Sequence, residues 1–190
     1  MAFQQAILDT EDGRYLIYEM VTSEGEDLWY ATLQQNDGGW KLDGGPQPFV
    51  QSEFRNRHGR LSPDRQYLAY RSNETGHNEI YVQPFPMGDG KWPVSSCGYT
   101  SRPLWSPEGD ELFYWSDDTR ALMVVPMKTD GIFRPGQPRP LFDTPVGTDL
   151  SQFNISPDGQ RFIAVQMMAP DSTPTIYIVQ NWYAEFEGKK

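Results

Sequence analysis

The 190 residues carry a formal net charge of −10, with 14% aromatic residues, 17 Gly and 16 Pro. An acidic chain disfavours nucleic acid or an anionic membrane as partner, and so many rings and turn formers suit short strands rather than long helices. Cys97 is the only cysteine, and His58 and His77 are the only histidines, which excludes an intrachain disulfide and a cysteine- or histidine-rich metal site.

Taken in order, the chain first offers Arg14 to Met20 as a strand, a polar turn over Thr22 to Asp27, and a partner strand over Leu28 to Leu33. Little precedes Ile7. Asn36-Asp37-Gly38-Gly39 reads as a break, Pro46 to Val50 as a short outer strand, and Gln51 to Arg57 as a polar connector. Tyr67 to Arg71 and Ile80 to Phe85 form the next pair, with Lys91 to Ser95 as an outer edge where a proline is tolerated. Arg102 to Trp105 reads as an inner strand, followed by Glu111 to Ser116 and Ala121 to Met127. A proline-punctuated link over 133–140 precedes Leu141-Phe142. The last strands are Phe153 to Ile155, Arg161 to Gln166 and Thr175 to Trp182, and helical periodicity is confined to a possible turn near Trp182 to Phe186.

One device punctuates this series. Ser62-Pro63-Asp64, Ser106-Pro107-Glu108-Gly109 and Ser156-Pro157-Asp158-Gly159 each precede an aromatic, branched run, and Asp9 to Tyr18 is a worn copy. The acidic residues Asp12, Asp64, Glu108 and Asp158 are spaced by 52, 44 and 50 residues. Pro presets φ for a type I turn, Asp suits the next position, and Gly takes the left-handed one. Arg65 stands where the other copies have Gly, at a cost of about 1–2 kcal/mol if the turn geometry is kept. Repeats of this length, each with several short strands, predict propeller blades.

The expected fold is therefore all-β, a β-propeller of four-stranded antiparallel blades at about 6–50, 56–95, 101–143 and 150–183 of a single 1–190 domain. Because an open stack leaves strand edges unpaired, these four blades are expected to be a small ring or the C-terminal part of a larger one. The partners expected are then a protein or peptide, the remaining blades of the same ring, or further copies pairing through open blade edges.

The repeated turns resemble the TolB-like, WD-like propeller repeats of bacterial proteins. Asn78 to Pro86, Lys91 to Ser95, Arg102 to Pro107, Glu111 to Tyr114, Leu122 to Pro126, Phe133 to Gly136, Arg161-Phe162 and Asn181-Trp182 are similar to a narrower group, the C-terminal propellers of bacterial eukaryotic-type serine/threonine kinases. The resemblance spans nearly the whole chain and is most specific over 61–143. It implies a sensor or interaction module that, in the parent kinases, follows a membrane segment and lies outside the cytoplasmic membrane. This chain has no Gly-rich phosphate loop, His-Arg-Asp loop or Asp-Phe-Gly, so kinase activity does not carry over. It also has no stretch long enough to cross a bilayer, and its first residues lack a signal peptide's basic start and apolar core.

Other chemistry is sparse. There is no Gly-x-Ser-x-Gly elbow, and the acidic pairs Glu11-Asp12 and Asp117-Asp118 lack the alternating spacing of a calcium loop, so no cofactor or metal is expected. Four residues before each turn serine stand His58, Arg102 and Gln152, with Arg55, Arg57 and Tyr99 in the neighbouring connectors. Together these six are the candidate ligand-binding residues, a polar channel mouth for a small anionic or peptide ligand. The alternative is that they pair with carboxylates such as Asp149. Trp29, Tyr70, Tyr81, Trp105, Tyr114 and Trp115 read as packing between blades. The expected function is a non-catalytic binding or sensor module. The second reading is an accessory propeller gating a serine peptidase of the prolyl-oligopeptidase type.

Overall fold

The computed structural model describes residues 2–9, 14–23, 25–95, 98, 100–128, 132–142, 152–165 and 176–180. All the secondary structure described there is strand, in four antiparallel sheets stacked in chain order. Sheet 1 holds β1 (Ala2–Asp9), β2 (Tyr15–Val21), β3 (Glu26–Asn36), β4 (Gly39–Leu42) and β5 (Gln47–Val50), the last two both pairing with β3. Sheet 2 holds β6 (Arg57–Leu61), β7 (Tyr67–Ser72), β8 (Glu79–Pro84) and β9 (Trp92–Pro93). Sheet 3 holds β10 (Leu104–Trp105), β11 (Glu111–Ser116), β12 (Ala121–Lys128), β13 (Arg134–Pro135) and β14 (Arg139–Phe142), and sheet 4 holds β15 (Phe153–Ile155), β16 (Arg161–Val165) and β17 (Ile176–Gln180).

Period-2 alternation sends each strand's side chains to two different cores. Leu112 and Tyr114 face sheet 2, where they join Tyr67, Ala69, Ile80 and Val82. Phe113 and Trp115 face sheet 4, where they join Phe153 and Phe162. Ile17 and Leu28 of sheet 1 meet Leu68, Tyr70 and Tyr81 in the remaining core. Of the aromatics expected between blades, Tyr70, Tyr81, Trp105, Tyr114 and Trp115 are buried, and Trp29 is half-buried.

Several strand limits differ from those expected. A first strand covers Ala2–Asp9, where the sequence offered little before Ile7. β3 begins at Glu26, inside the expected turn, and runs to Asn36. Gly39–Leu42 then folds back along it across Asp37-Gly38, which makes the expected break a tight hairpin turn. The proline-punctuated link of sheet 3 contains the short strand β13 and the start of β14, which runs on through Leu141-Phe142. Polar or proline-rich sequence hid these pieces, because they pair through backbone groups and carry little core periodicity. Arg102 lies just before β10 rather than on it. The possible turn near Trp182 to Phe186 falls outside the described residues.

The turn works as a hydrogen-bonded unit. The amides of Arg65, Gly109 and Gly159 donate to Ser62 O, Ser106 O and Ser156 O at 2.8, 3.0 and 2.8 Å. Each serine Oγ accepts the amide of the first residue of the next strand, Tyr67, Glu111 or Arg161, at 3.0 Å. Each also donates to a carboxylate: Ser62 to Asp64 at 2.6 Å, Ser106 to Asp110 at 2.8 Å, and Ser156 to Asp158. In the Ser106 copy Glu108 fills the turn position while Asp110, two residues on, supplies the acceptor. The turns also touch one another. A Cβ on Gly109 would sit 3.3 Å from Pro63 Cδ, and one on Gly159 would sit 3.5 Å from Pro107 Cδ. Gly109 has φ 76°, so Gly109→Ala meets both backbone strain and a close proline. It is expected to cost about 1–2 kcal/mol, read as a lower urea midpoint at unchanged slope. A midpoint equal to that of the parent chain would show that the turn has room to relax.

Candidate functional site

Each inner strand starts at the end of its sheet opposite the Ser-Pro turn, and the candidate site lies at that end. The connector to β6 is wound tightly onto the start of β3. Glu26 N donates to Phe54 O at 3.2 Å and Asn56 N donates to Glu26 O at 2.8 Å. Asp27 accepts Ser52 N at 3.2 Å, and Asn56 Nδ2 donates to Ser52 Oγ at 2.8 Å. This winding brings Arg55 and Arg57 to the Glu26 carboxylate. Arg57 grips it with Nε and Nη2, while Arg55 Nε stands 3.9 Å away with its side chain mostly exposed. Asn73 Oδ1 accepts Arg55 N at 2.7 Å and fixes the connector to the β7–β8 loop.

Arg71, opposite Arg57 across the β6–β7 pair, lies beside this group, and its Nη1 donates to Thr100 O at 3.4 Å. Thr100 Oγ1 donates to Asn78 O at 2.8 Å, and Ser101 Oγ accepts Trp115 N at 2.8 Å. The Trp115 indole N–H donates to Asp117 at 2.8 Å. Together Arg55, Arg57 and Arg71 line one side of a pocket of about 330 Å³. Asn78, Thr100, Ser101, Trp115 and Asp117 complete its wall. Guanidinium groups beside hydroxyl and amide groups are donors suited to a carboxylate or another planar anion.

Of the six candidate residues, Arg55 and Arg57 line this pocket, and His58, Arg102 and Gln152 do not. Tyr99 lies outside the described residues, as does Asp149. Counting back from the serine assumes regular alternation, but the β6–β7 register shifts between Arg57 and Arg60, and His58 has φ 58°. His58 N therefore donates to Glu19 Oε1 at 2.7 Å, with its Nδ1 3.5 Å from the same oxygen. Burial, then the charges of Arg71, Arg60, Arg57 and Arg102, push its imidazole down to about 4. Burial raises the Glu19 carboxyl, partly countered by the His58 amide and Arg57. Arg102 Nη2 reaches sheet 4 and donates to Phe153 O at 2.6 Å, whereas Gln152 is exposed. Arg57 is paired with Glu26 at the edge of the pocket, and Arg55 stands within 3.9 Å of the same carboxylate.

Sequence reasoning missed Arg71, Asn78, Thr100, Ser101, Trp115 and Asp117. Laying β6 against β7 as a hairpin about the Ser62 turn would have brought Arg71 near Arg57. Asn78 directly precedes β8 in that same sheet, and the other four needed the packing of sheet 2 on sheet 3. At the opposite end, a smaller pocket of about 130 Å³ separates the turns of sheets 3 and 4, with Ser106, Pro107, Asp158 and Gly159 in its wall. Among the described residues no group of three His, Cys, Asp or Glu side chains could hold a metal, and no helix is long and apolar enough to cross a membrane.

No protein-family model matches the chain, and no curated protein does. Solved structures do. A putative TolB from Agrobacterium tumefaciens matches at TM-score 0.63 and 17% identity over 90% of this chain and 59% of that one. TolB from Acinetobacter baumannii matches at TM-score 0.60 and 14% identity over 90% of this chain and 39% of that one. The fold is a β-propeller. Its four sheets are blades, and the chain spans 39% and 59% of the two TolB chains. A puromycin-hydrolyzing peptidase of Mycobacterium tuberculosis matches at TM-score 0.62 and 12% identity, over 95% of this chain and 27% of the peptidase.

Proposed function

We propose that this propeller is a non-catalytic binding module that recognises a protein or peptide partner and takes an acidic group of it at the mouth between blades 2 and 3. The observation that carries the reading is the convergence of Arg55, Arg57 and Arg71 on one pocket in a chain of net charge −10. A local basic site on an acidic body selects for an anionic group while repelling acidic molecules elsewhere. The finer reading makes the module the sensor part of a bacterial serine/threonine kinase-like protein, on the extracytoplasmic side of the membrane. It is supported by the motifs over 61–143. The second reading, a propeller that gates a serine peptidase, is favoured by the likeness to the puromycin-hydrolyzing peptidase.

A displayed library of short peptides, panned against the purified chain, tests the binding reading. Peptides rich in Asp or Glu, or bound through a free C-terminal carboxylate, are expected to be enriched. Arg71→Ala is expected to weaken their binding by roughly tenfold or more and to flatten its salt dependence, with the fold intact by circular dichroism. Failure to enrich any acidic peptide, or equal binding by Arg71→Ala, would remove the reading. A peptidase gate needs no peptide affinity of its own, so a chain that binds none would shift the balance to that role.

A further inference from the structure

Three guanidinium groups line the pocket between blades 2 and 3, yet its net charge is smaller than that number suggests. Arg57 closes on Glu26 with Nε and Nη2, and Arg55 Nε stands 3.9 Å from the same carboxylate. Asp117 places a second negative charge in the wall itself. Three positive charges against two negative ones leave an excess of one, which matches a single carboxylate better than a phosphate group.

The two walls also differ in sign. Arg57 and Arg71 stand on β6 and β7 of blade 2, with Arg55 in the connector before them, whereas Asp117 follows β11 of blade 3. The indole N–H of Trp115 donates to Asp117 Oδ1 at 2.8 Å, which holds the carboxylate in place and leaves Oδ2 to accept a second donor. Thr100 Oγ1 and Ser101 Oγ donate to Asn78 O and Arg102 O at 2.8 and 3.3 Å. Asp117 is thus the charged acceptor of the blade 3 wall, across the pocket from the arginines.

An occupant that satisfies both walls carries one carboxylate and, close to it, a nitrogen that donates. An Asp or Glu side chain holds its carboxylate away from the nearest N–H, and a phosphate brings more charge and no N–H at all. An α-carboxylate has the nitrogen on the adjacent carbon. The volume of about 330 Å³ is at the small end of ligand sites and suits one residue.

We propose that the pocket recognises an α-carboxylate together with the nitrogen donor on the same carbon. That chemistry is shared by the C-terminal residue of a peptide and a free α-amino acid. The inference rests on the binding reading above and narrows it: Arg71 and its neighbours take the carboxylate, and Asp117 accepts from the nitrogen.

Hexapeptide pools, labelled at the N-terminus and randomised over the last two residues, test it by fluorescence anisotropy with the purified chain. The pools are made with a free C-terminus, with a C-terminal amide, and as amides carrying an internal Asp or Glu. The free-carboxylate pool is expected to bind at least about tenfold more tightly than either amide. Methylating the last peptide nitrogen and Asp117→Asn should each cost about tenfold, and the two together no more than either alone. Asp117→Asn keeps an acceptor for the Trp115 indole, so a merely structural role would leave the methylation effect unchanged. Additive losses therefore overturn the proposal. Equal, Arg71-dependent binding of the internal-acid amides overturns it too, and leaves the broader reading standing. Calorimetry with free glycine, alanine and leucine separates the sources, since heat that Asp117→Asn abolishes supports the same chemistry in a small molecule. No binding of any of these probes by the folded chain removes both readings.

Discussion

Phe113→Ala is expected to lower the free energy of unfolding by about 3–5 kcal/mol. Phe113 is fully buried, and its ring meets that of Phe162 edge-on at 5.0 Å, so it joins blade 3 to blade 4. Leu122, Val124 and Leu141 close around the same core. Truncation removes the burial of a whole ring and leaves a cavity that strands held in register can only partly collapse. Blade 4 offers three short strands among the described residues, so it depends on this contact more than blade 2 does. Urea denaturation measures the loss, and amide exchange over 161–165 should quicken before exchange over 67–72. A loss under about 1 kcal/mol, or uniform quickening across all blades, would mean that blade 4 is not held through Phe113.

The second large effect is on pH dependence. His58 is held neutral in the fold, with its imidazole pushed down to about 4 from an ordinary 6.5. The unfolded chain binds its proton as pH falls through 6.5, whereas the folded chain does not until about 4. Stability from this group is therefore complete above pH 6.5 and is lost progressively as pH falls towards 4. The shift corresponds to about 3 kcal/mol, and a side chain 24% exposed loses little of that to solvent screening. Glu19 acts in the opposite sense, because its raised carboxyl takes up a proton in the fold sooner than in the unfolded chain. The measured loss is thus smaller than His58 alone would give. His58→Asn isolates it, since Asn tolerates the left-handed backbone at this position. Urea titrations of both proteins between pH 4 and 7 should give a shallower slope for His58→Asn. Parallel slopes would place the titration elsewhere.

Gly109→Ala probes the nesting of successive turns, Arg71→Ala probes the pocket, and Asp117→Asn probes its opposite wall. All three act where neighbouring blades meet.

The repeat was legible because Ser-Pro-Asp-Gly encodes its own geometry. Pro and Gly set backbone angles locally, Ser caps the strand that follows, and the aromatic run behind it can only be a half-buried strand. Local chemistry of this kind requires no knowledge of distant residues, so the all-β class and the blade series follow from the sequence by itself. The short strands β4, β13 and β14 were not legible, because backbone pairing leaves no mark in side-chain periodicity. The pocket was only half legible. Arg55 and Arg57 stood out as two charges in a connector, but the bulge at His58 broke the counting that linked it to Arg102 and Gln152. Thr100, Ser101, Trp115 and Asp117 join the arginines only because blade 3 packs on blade 2. In the sequence Asp117 is one of an acidic pair in a turn, and whether such a carboxylate meets a cation depends on which blade stands beside its own.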